Sequence, residues 1–298
     1  MLCRTVFSVS LLALFASAGH AQVVYPDGTP VPESVQIRVG IEYGRAGEES
    51  LLLDLARPKV SADPLPCVVV IHGGAWRAGT RQVHLKDIGR LAERGYVAAS
   101  VSYRFCPQHT FPAQIEDVKC AVRYLRANAD TINLDPQRIG AVGFSAGAHL
   151  AMLLGVMDPA DGLEGQGGWG DQSSKVQVVV AFAGPTALDA PDIPEVSKPL
   201  VRDFLGGTAD EKADLYRKAS PVTYVTKGDA PMLLFQGTND PLVPYTQAYR
   251  MLEAMQAAGV EGRVEFLVGA GHGWGDPERE RTFQAMFEFL DRYLKPAK

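Results

Sequence analysis

Ser145 stands at the centre of Gly143-Phe144-Ser145-Ala146-Gly147, a Gly-x-Ser-x-Gly pentapeptide whose flanks make it the first candidate for chemistry in this chain. Residues 138–142 before it form a short β-branched run, and residues 146–154 after it hold no helix breaker beyond Gly147. A strand turning sharply into a helix puts the serine in a strained backbone conformation, and small flanking residues let neighbouring backbone pass. The hydroxyl then stands at the C-terminal end of the strand, over a helix N-terminus. A serine hydroxyl is a weak nucleophile near neutral pH and needs a positioned base.

Of the six histidines, His272 has the setting of that base. Residues 264–268 read as a strand, and Gly269-Ala270-Gly271-His272-Gly273-Trp274 is a flexible loop at its C-terminal end, on the edge that carries Ser145. The others read as structural. His149 lies one turn down the helix from Ser145 and packs, His72 fixes the loop it opens, His84 and His109 are solvated, and His20 lies in a leader. A catalytic imidazole also needs a carboxylate to orient it. Asp240 lies in the loop Gly237-Thr238-Asn239-Asp240-Pro241 that leaves strand 232–236 at the same edge, which gives the chain order Ser, Asp, His. Asp229 precedes that strand and falls at the wrong edge; Asp276, close after His272, is the reserve.

Attack on an acyl carbon creates an oxyanion, and hydrogen-bond donors must be in place before that charge develops. His72-Gly73-Gly74-Ala75-Trp76 follows an apolar strand, and its glycine pair can turn backbone N–H groups inward. The amides of Gly74, Ala75 and Ala146 are the expected donors. Trp76 and Trp274 flank the site, where they either line an aromatic or sugar pocket or pack against the core. No metal-ligand spacing and no phosphate-cradling loop occurs, so neither metal nor cofactor is expected.

For these groups to meet, the strands that carry them must end at one edge of a common sheet. Residues 36–43 and 50–57 form an opening hairpin. Strand and helix then alternate, with strands at 67–71, 97–102, 138–142, 176–183, 232–236 and 264–268 and helices at 83–94, 113–129, 146–154, 245–258 and 279–294. The expected fold is α/β, one domain over residues 22–298, with an eight-stranded, mostly parallel sheet and helices on both faces. Residues 184–229 follow a strand, so they emerge at the C-terminal edge, where ligands bind. Their prolines and a helical piece at 209–218 suggest a small lid. The glycine-rich stretch 158–175 follows a helix and belongs at the opposite edge.

Together these motifs resemble those of the α/β-hydrolases, and among them the esterase group with a His-Gly-Gly oxyanion loop related to hormone-sensitive lipase. That group includes secreted feruloyl and acetylxylan esterases. The resemblance rests on residues 72–76, 143–147, 237–240 and 271–273, with 111–118 in support, and spans about residues 36–294. It implies a serine carboxylesterase that forms an acyl-enzyme on short-chain acyl or aryl esters, carried by a small molecule or a plant polysaccharide. Two departures stand out. Ala75 occupies the place of a usual third glycine, and residues 22–35 are too few for the usual N-terminal helical cap, which implies a more open site. His-Gly-Gly-x-Trp and Ser-Ala-Gly-Ala-His-Leu also resemble the arylformamidases, the alternative reading. A prolyl-oligopeptidase-like peptidase would need a propeller domain upstream, and a catalytically dead binding protein fits poorly with a complete triad.

With 46% hydrophobic and 21% charged residues, the chain has a globular rather than a disordered composition. Its net charge is −5 and the charges are scattered, so no basic stripe offers a surface to nucleic acid. Residues 1–21 carry Arg4 as their only formal charge, an apolar stretch at 6–18, and small-x-small sites ending at Ala18 and Ala21. That is the pattern of a signal peptide, and it implies a secreted or periplasmic protein. The apolar stretch is short for a bilayer span of roughly 20 residues, and no stable membrane insertion is expected. Cys67 opens an apolar strand as a small hydrophobe, and an oxidising compartment would permit a bridge between Cys106 and Cys120.

Overall fold

The computed structural model describes residues 24–295, so the leader expected at residues 1–21 lies outside the described residues. The hairpin is β1 (Val35–Ala46) and β2 (Glu49–Pro58). The parallel part comprises β3 (Leu65–Ile71), β4 (Val97–Val101), β5 (Leu134–Phe144), β6 (Val178–Phe182), β7 (Met232–Gly237) and β8 (Gly262–Leu267). These eight strands form one sheet in the order β1-β2-β4-β3-β5-β6-β7-β8, antiparallel across β1, β2 and β4 and parallel elsewhere.

Successive side chains of a strand point to opposite faces, and the apolar runs use both. Val69 of β3 faces the core under α2 (Ala113–Ala127), α4 (Ala146–Val156) and α7 (Thr246–Ala258), together with Ile115, Leu150 and Met251. Val68 and Val70 face the other way, onto Ile88 and Leu91 of α1 (Leu85–Glu93) and Phe287 and Leu290 of α8 (Glu278–Leu294). Because all the parallel strands run the same way, the loops bearing Ser145, Asp240 and His272 leave from one edge.

Several boundaries differ from the sequence reading. The helix expected at 83–94 opens as a 3-10 turn, Arg81–His84, before α1 begins. The helix expected at 113–129 breaks at Asn128 and resumes as the short α3 (Ala129–Ile132). Residues 184–229 hold α5 (Lys198–Leu205) as well as α6 (Ala213–Lys218), the latter shorter than the piece expected at 209–218. Pro199 hid α5, since proline reads as a breaker, yet it is accommodated in a helix's first turn, where its missing N–H has no intrahelical role. Residues 24–34 contain no helix; Val24 and Pro30 form an isolated bridge, and Tyr25 is buried in the core that α1 shares.

The bridge between Cys106 and Cys120 is not formed; Cys67, Cys106 and Cys120 are all free and buried. Their places in the fold separate them. Cys106 Sγ lies against the Ala75 carbonyl (3.9 Å), whereas Cys120, two turns into α2, faces the Tyr43 carbonyl of β1 (3.8 Å).

Candidate active site

β5 ends at Phe144 and α4 begins at Ala146, so Ser145 alone makes the turn, with φ 54° and ψ −119°. That conformation is uncommon for a residue with a Cβ, and the two flanking glycines permit it. A Cβ on Gly143 would lie 2.1 Å from the Gly147 carbonyl oxygen, and one on Gly147 would lie 2.1 Å from that of Ile71. The Ser145 amide donates to the Phe182 carbonyl (2.7 Å), which joins the turn to the neighbouring strand β6.

Three loops from β5, β7 and β8 then converge. Ser145 Oγ lies 2.8 Å from His272 Nε2, and His272 Nδ1 lies 2.7 Å from Asp240 Oδ2. An ionised carboxylate only accepts, so Nδ1 carries the proton and donates it to Asp240. Nε2 is therefore the free acceptor facing the serine hydroxyl. This tautomer can take the Ser145 proton, and it would hold the resulting imidazolium against Asp240.

The Asp240 side chain is wholly shielded from solvent. Its Oδ1 accepts from the amides of Leu242 (2.8 Å) and Val243 (3.0 Å), and its Oδ2 also accepts from Gln236 Nε2 (3.1 Å). Burial alone would push its pKa up, but the bonds from His272, Val243 and Leu242 outweigh burial and hold the carboxyl below its ordinary range. Gln236 escaped the sequence reading; its only signal was a polar residue ending an otherwise apolar strand.

The loop after β3 supplies backbone donors. Ala75 and Trp76 both have positive φ (51° and 57°), which turns this stretch back toward Ser145. The Gly74 carbonyl accepts from the amides of Arg77 and Ala78. Among the described residues nothing accepts from the amides of Gly74, Ala75 or Ala146. All three residues border one cavity with Ser145 and His272. His72 closes the loop as expected: its Nδ1 donates to the Gly73 carbonyl (2.7 Å) and its ring stacks on Tyr103. Burial holds that imidazole down at about 4, against the opposing effect of the Gly73 carbonyl.

That first cavity, of about 360 Å³, is walled by Ile193, Leu200 and Val201 of the inserted segment and by Leu242 and Val243 beyond Asp240. The segment is pinned in place. Buried Gln247 of α7 accepts the amides of Thr186 and Ala187 (2.8 Å each), and Ser197 Oγ donates to the Leu242 carbonyl (2.7 Å). Trp76 borders this cavity but is only 4% exposed; its ring stacks on Phe204 and its Nε1 donates to His149 Nδ1 (3.2 Å). It is chiefly a framework residue. Trp274 lines a second cavity, of about 320 Å³, on the α1 and α8 side of Ser145.

Two histidines differ from the sequence reading. His84 is not solvated; it is 8% exposed, stacks on Phe144 and pairs through Nδ1 with Asp87 (2.7 Å). The 3-10 turn carries it against Phe144 at the end of β5. His109 is half-buried and pairs with Glu49 (3.0 Å). His149 packs as expected, with Nε2 donating to the Ala219 carbonyl (2.7 Å). Asp229 is bound to Thr226 ahead of β7, at the opposite edge, as its position in the sequence implied.

The strand order, the strained serine between β5 and α4, and the Ser145–His272–Asp240 line define an α/β-hydrolase. Within that class the chain belongs to the BD-FAE family, whose profile matches residues 53–255. Esterase LipC of Mycobacterium tuberculosis is 34% identical over 240 residues, which are 78% of this chain and 59% of LipC. Esterase LipQ of the same organism is 33% identical over 225 residues, 74% of this chain and 52% of LipQ. The chain thus spans only 52–60% of the length of the first curated relatives it matches. Among solved structures it is similar to a truncated carbohydrate esterase from gut microbiota (29% identity, TM-score 0.78, 86% of this chain and 95% of that one). It is also similar to Thermogutta terrifontis esterase 2 phosphonylated by sarin (28% identity, TM-score 0.76, 92% of this chain and 100% of that one).

Proposed function

We propose that this protein is a serine carboxylic-ester hydrolase with Ser145 as nucleophile, His272 as general base and acid, and Asp240 as the carboxylate that orients it. The observation that carries this reading is the unbroken hydrogen-bonded line from Ser145 Oγ through His272 to Asp240. Ser145 Oγ attacks the ester carbonyl while its proton passes to His272 Nε2. The amides of Gly74, Ala75 and Ala146 hold the oxyanion. Collapse returns the proton from Nε2 to the departing alkoxide and leaves an acyl-serine. Water, deprotonated by His272, then releases the acid and restores the hydroxyl.

The relatives bear the names of ester hydrolases, and one structural neighbour is phosphonylated by sarin, a reagent for activated nucleophiles. The relatives' names favour esters over the N-formyl amides of the alternative reading. The first cavity takes the acyl group, because the oxyanion donors border it and its walls are apolar. Its size suits short chains, and acetyl or feruloyl esters on plant polysaccharides are the substrates we favour; the similarity to a carbohydrate esterase supports that choice. The leader at residues 1–21 directs export, with cleavage near Ala18 or Ala21. Among the described residues no helix is long and apolar enough to cross a membrane.

The test is a hydrolysis panel with Ser145→Ala as control: p-nitrophenyl acetate, butyrate and octanoate, methyl ferulate, acetylated xylan and N-formylkynurenine. Serine-dependent cleavage of the short acyl, ferulate or xylan esters is expected. Activity confined to N-formylkynurenine, or activity retained in Ser145→Ala, would overturn the proposal.

A further inference from the structure

Ser145 and His272 border two cavities, and the proposed reaction uses only one of them. The second lies between the Arg81–His84 turn, the ends of β5 and β6, the His272 loop and α8. Phe144, Phe182, Trp274 and Phe283 supply its aromatic surface. Three ionisable side chains, His84, Asp87 and Arg279, also border it. An aromatic surface beside several hydrogen-bonding groups suits a ligand with one apolar face and many hydroxyls. An alkyl chain would offer no hydrogen bond to a polar atom left without a protein partner there, at a cost.

His84 is held as a binding group would be. Its Nδ1 is engaged by Asp87 (2.7 Å), its ring stacks on Phe144, and its side chain keeps 11% of its surface exposed. Nothing among the described residues bonds to its Nε2, and that atom is absent from the fully buried unpaired groups, so it remains reachable. The turn that carries it is anchored by Arg81, which pairs with wholly buried Asp54 (2.8 Å). Trp274 is likewise fixed, with Nε1 donating to Thr282 Oγ1 (3.0 Å), and Arg279 lies over the Phe283 ring. A pre-set polar atom in an aromatic cleft beside the nucleophile has no structural task left to perform.

The two cavities divide the machinery. Gly74, Ala75 and Ala146 border the first and not the second, whereas Gly273 and Trp274 of the His272 loop border only the second. His272 borders both cavities and can protonate a leaving oxygen from either side, so with the acyl group in the cavity that carries the oxyanion donors, the second is left for the alcohol. We propose that this second cavity is the leaving-group subsite, that it takes a sugar ring, and that His84 Nε2 hydrogen-bonds a ring hydroxyl and thereby selects sugar esters over simple alkyl esters. The proposal rests on the ester-hydrolase reading above.

Its test compares kcat and KM for acetylated xylobiose and ethyl acetate in wild-type, His84→Leu and His84→Gln proteins. His84→Leu is expected to lower the sugar-to-ethyl ratio of kcat/KM about tenfold or more, chiefly through KM, because a hydrogen bond to the substrate is lost. His84→Gln, which keeps a donor and an acceptor, should recover part of that ratio. A ratio that stays within about twofold of wild type in His84→Leu, or a change that follows acyl length instead of the alcohol, overturns the assignment. Titrating Ser145→Ala protein with xylobiose reads the same subsite without turnover. Saturable binding weakened by His84→Leu supports the proposal even where no ester is cleaved, and absence of binding overturns it. Failure of every ester with sugar binding intact would instead refute the hydrolase reading.

Discussion

The indole of Trp76 donates to Nδ1 of His149 at 3.2 Å, and this bond ties the loop bearing the Gly74 and Ala75 amides to the helix bearing the Ala146 amide. An oxyanion hole assembled from two separate elements works only if their spacing is held, because donors displaced by a fraction of an ångström stabilise the transition state less. Trp76→Phe keeps the stacked ring and removes the N–H. We expect kcat to fall about tenfold with a smaller change in KM, and stability to fall by about 1–3 kcal/mol as buried His149 Nδ1 loses its partner. Steady-state kinetics and urea unfolding read both effects; a variant with unchanged kcat would show that the bond does not hold the donors.

Removing a member of the triad should be severe. Ser145→Ala or His272→Ala is expected to lower kcat roughly 10⁴-fold or more, with Asp240→Asn comparable because the amide would stabilise the wrong imidazole tautomer. Near-native turnover in any of them would refute the assignment of roles.

Leu200 borders the first cavity from α5. Leu200→Trp adds bulk to its wall, so the ratio of butyrate to acetate hydrolysis should drop by about tenfold while acetate is affected less. If the acyl-length profile stays as in wild type, acyl chains do not lie against this wall.

Two buried histidines set an acid limit on stability. Burial holds both His72 and His149 down at about 4, each against a backbone carbonyl that works the other way. In the unfolded chain a histidine binds its proton near pH 6.5, so between about 6.5 and 4 the unfolded state holds more protons than the folded one. Stability contributed by the neutral rings is therefore complete above about pH 6.5 and declines as pH falls toward 4, by up to about 1.4 kcal/mol per pH unit for each ring. Urea unfolding across that range should show the decline, with a shallower slope in His149→Gln. Equal slopes in the two proteins would mean that His149 is not held neutral.

The thiols should be silent in the folded state. Burial pushes Cys67 up to about 12 and Cys106 and Cys120 up to about 11, so little thiolate exists to react. In protein beginning at residue 22, a thiol reagent should label Cys67, Cys106 and Cys120 only after denaturation, and reductant should leave the unfolding midpoint unchanged. Labelling of a single thiol after denaturation without reductant would reveal a bridge.

The pentapeptide around Ser145, the loop from His72 to Trp76, Asp240 past one strand and His272 past another were legible in the chain because each is local. Each is a short signal at a strand end, and parallel strands bring their C-terminal ends to one edge whatever the details of packing. The strand and helix alternation was legible for the same reason, since apolar runs and breakers act over a few residues. The tertiary structure decided what depends on groups far apart in the chain. Whether Cys106 and Cys120 meet turned on the neighbours each thiol packs against, the Ala75 carbonyl for one and the Tyr43 carbonyl for the other. The roles of Trp76, paired with His149 across 73 positions, and of His84, carried against Phe144 by one tight turn, were equally hidden. Local propensity carries no information about such partners, because burial and hydrogen-bond pairing arise only when distant segments pack.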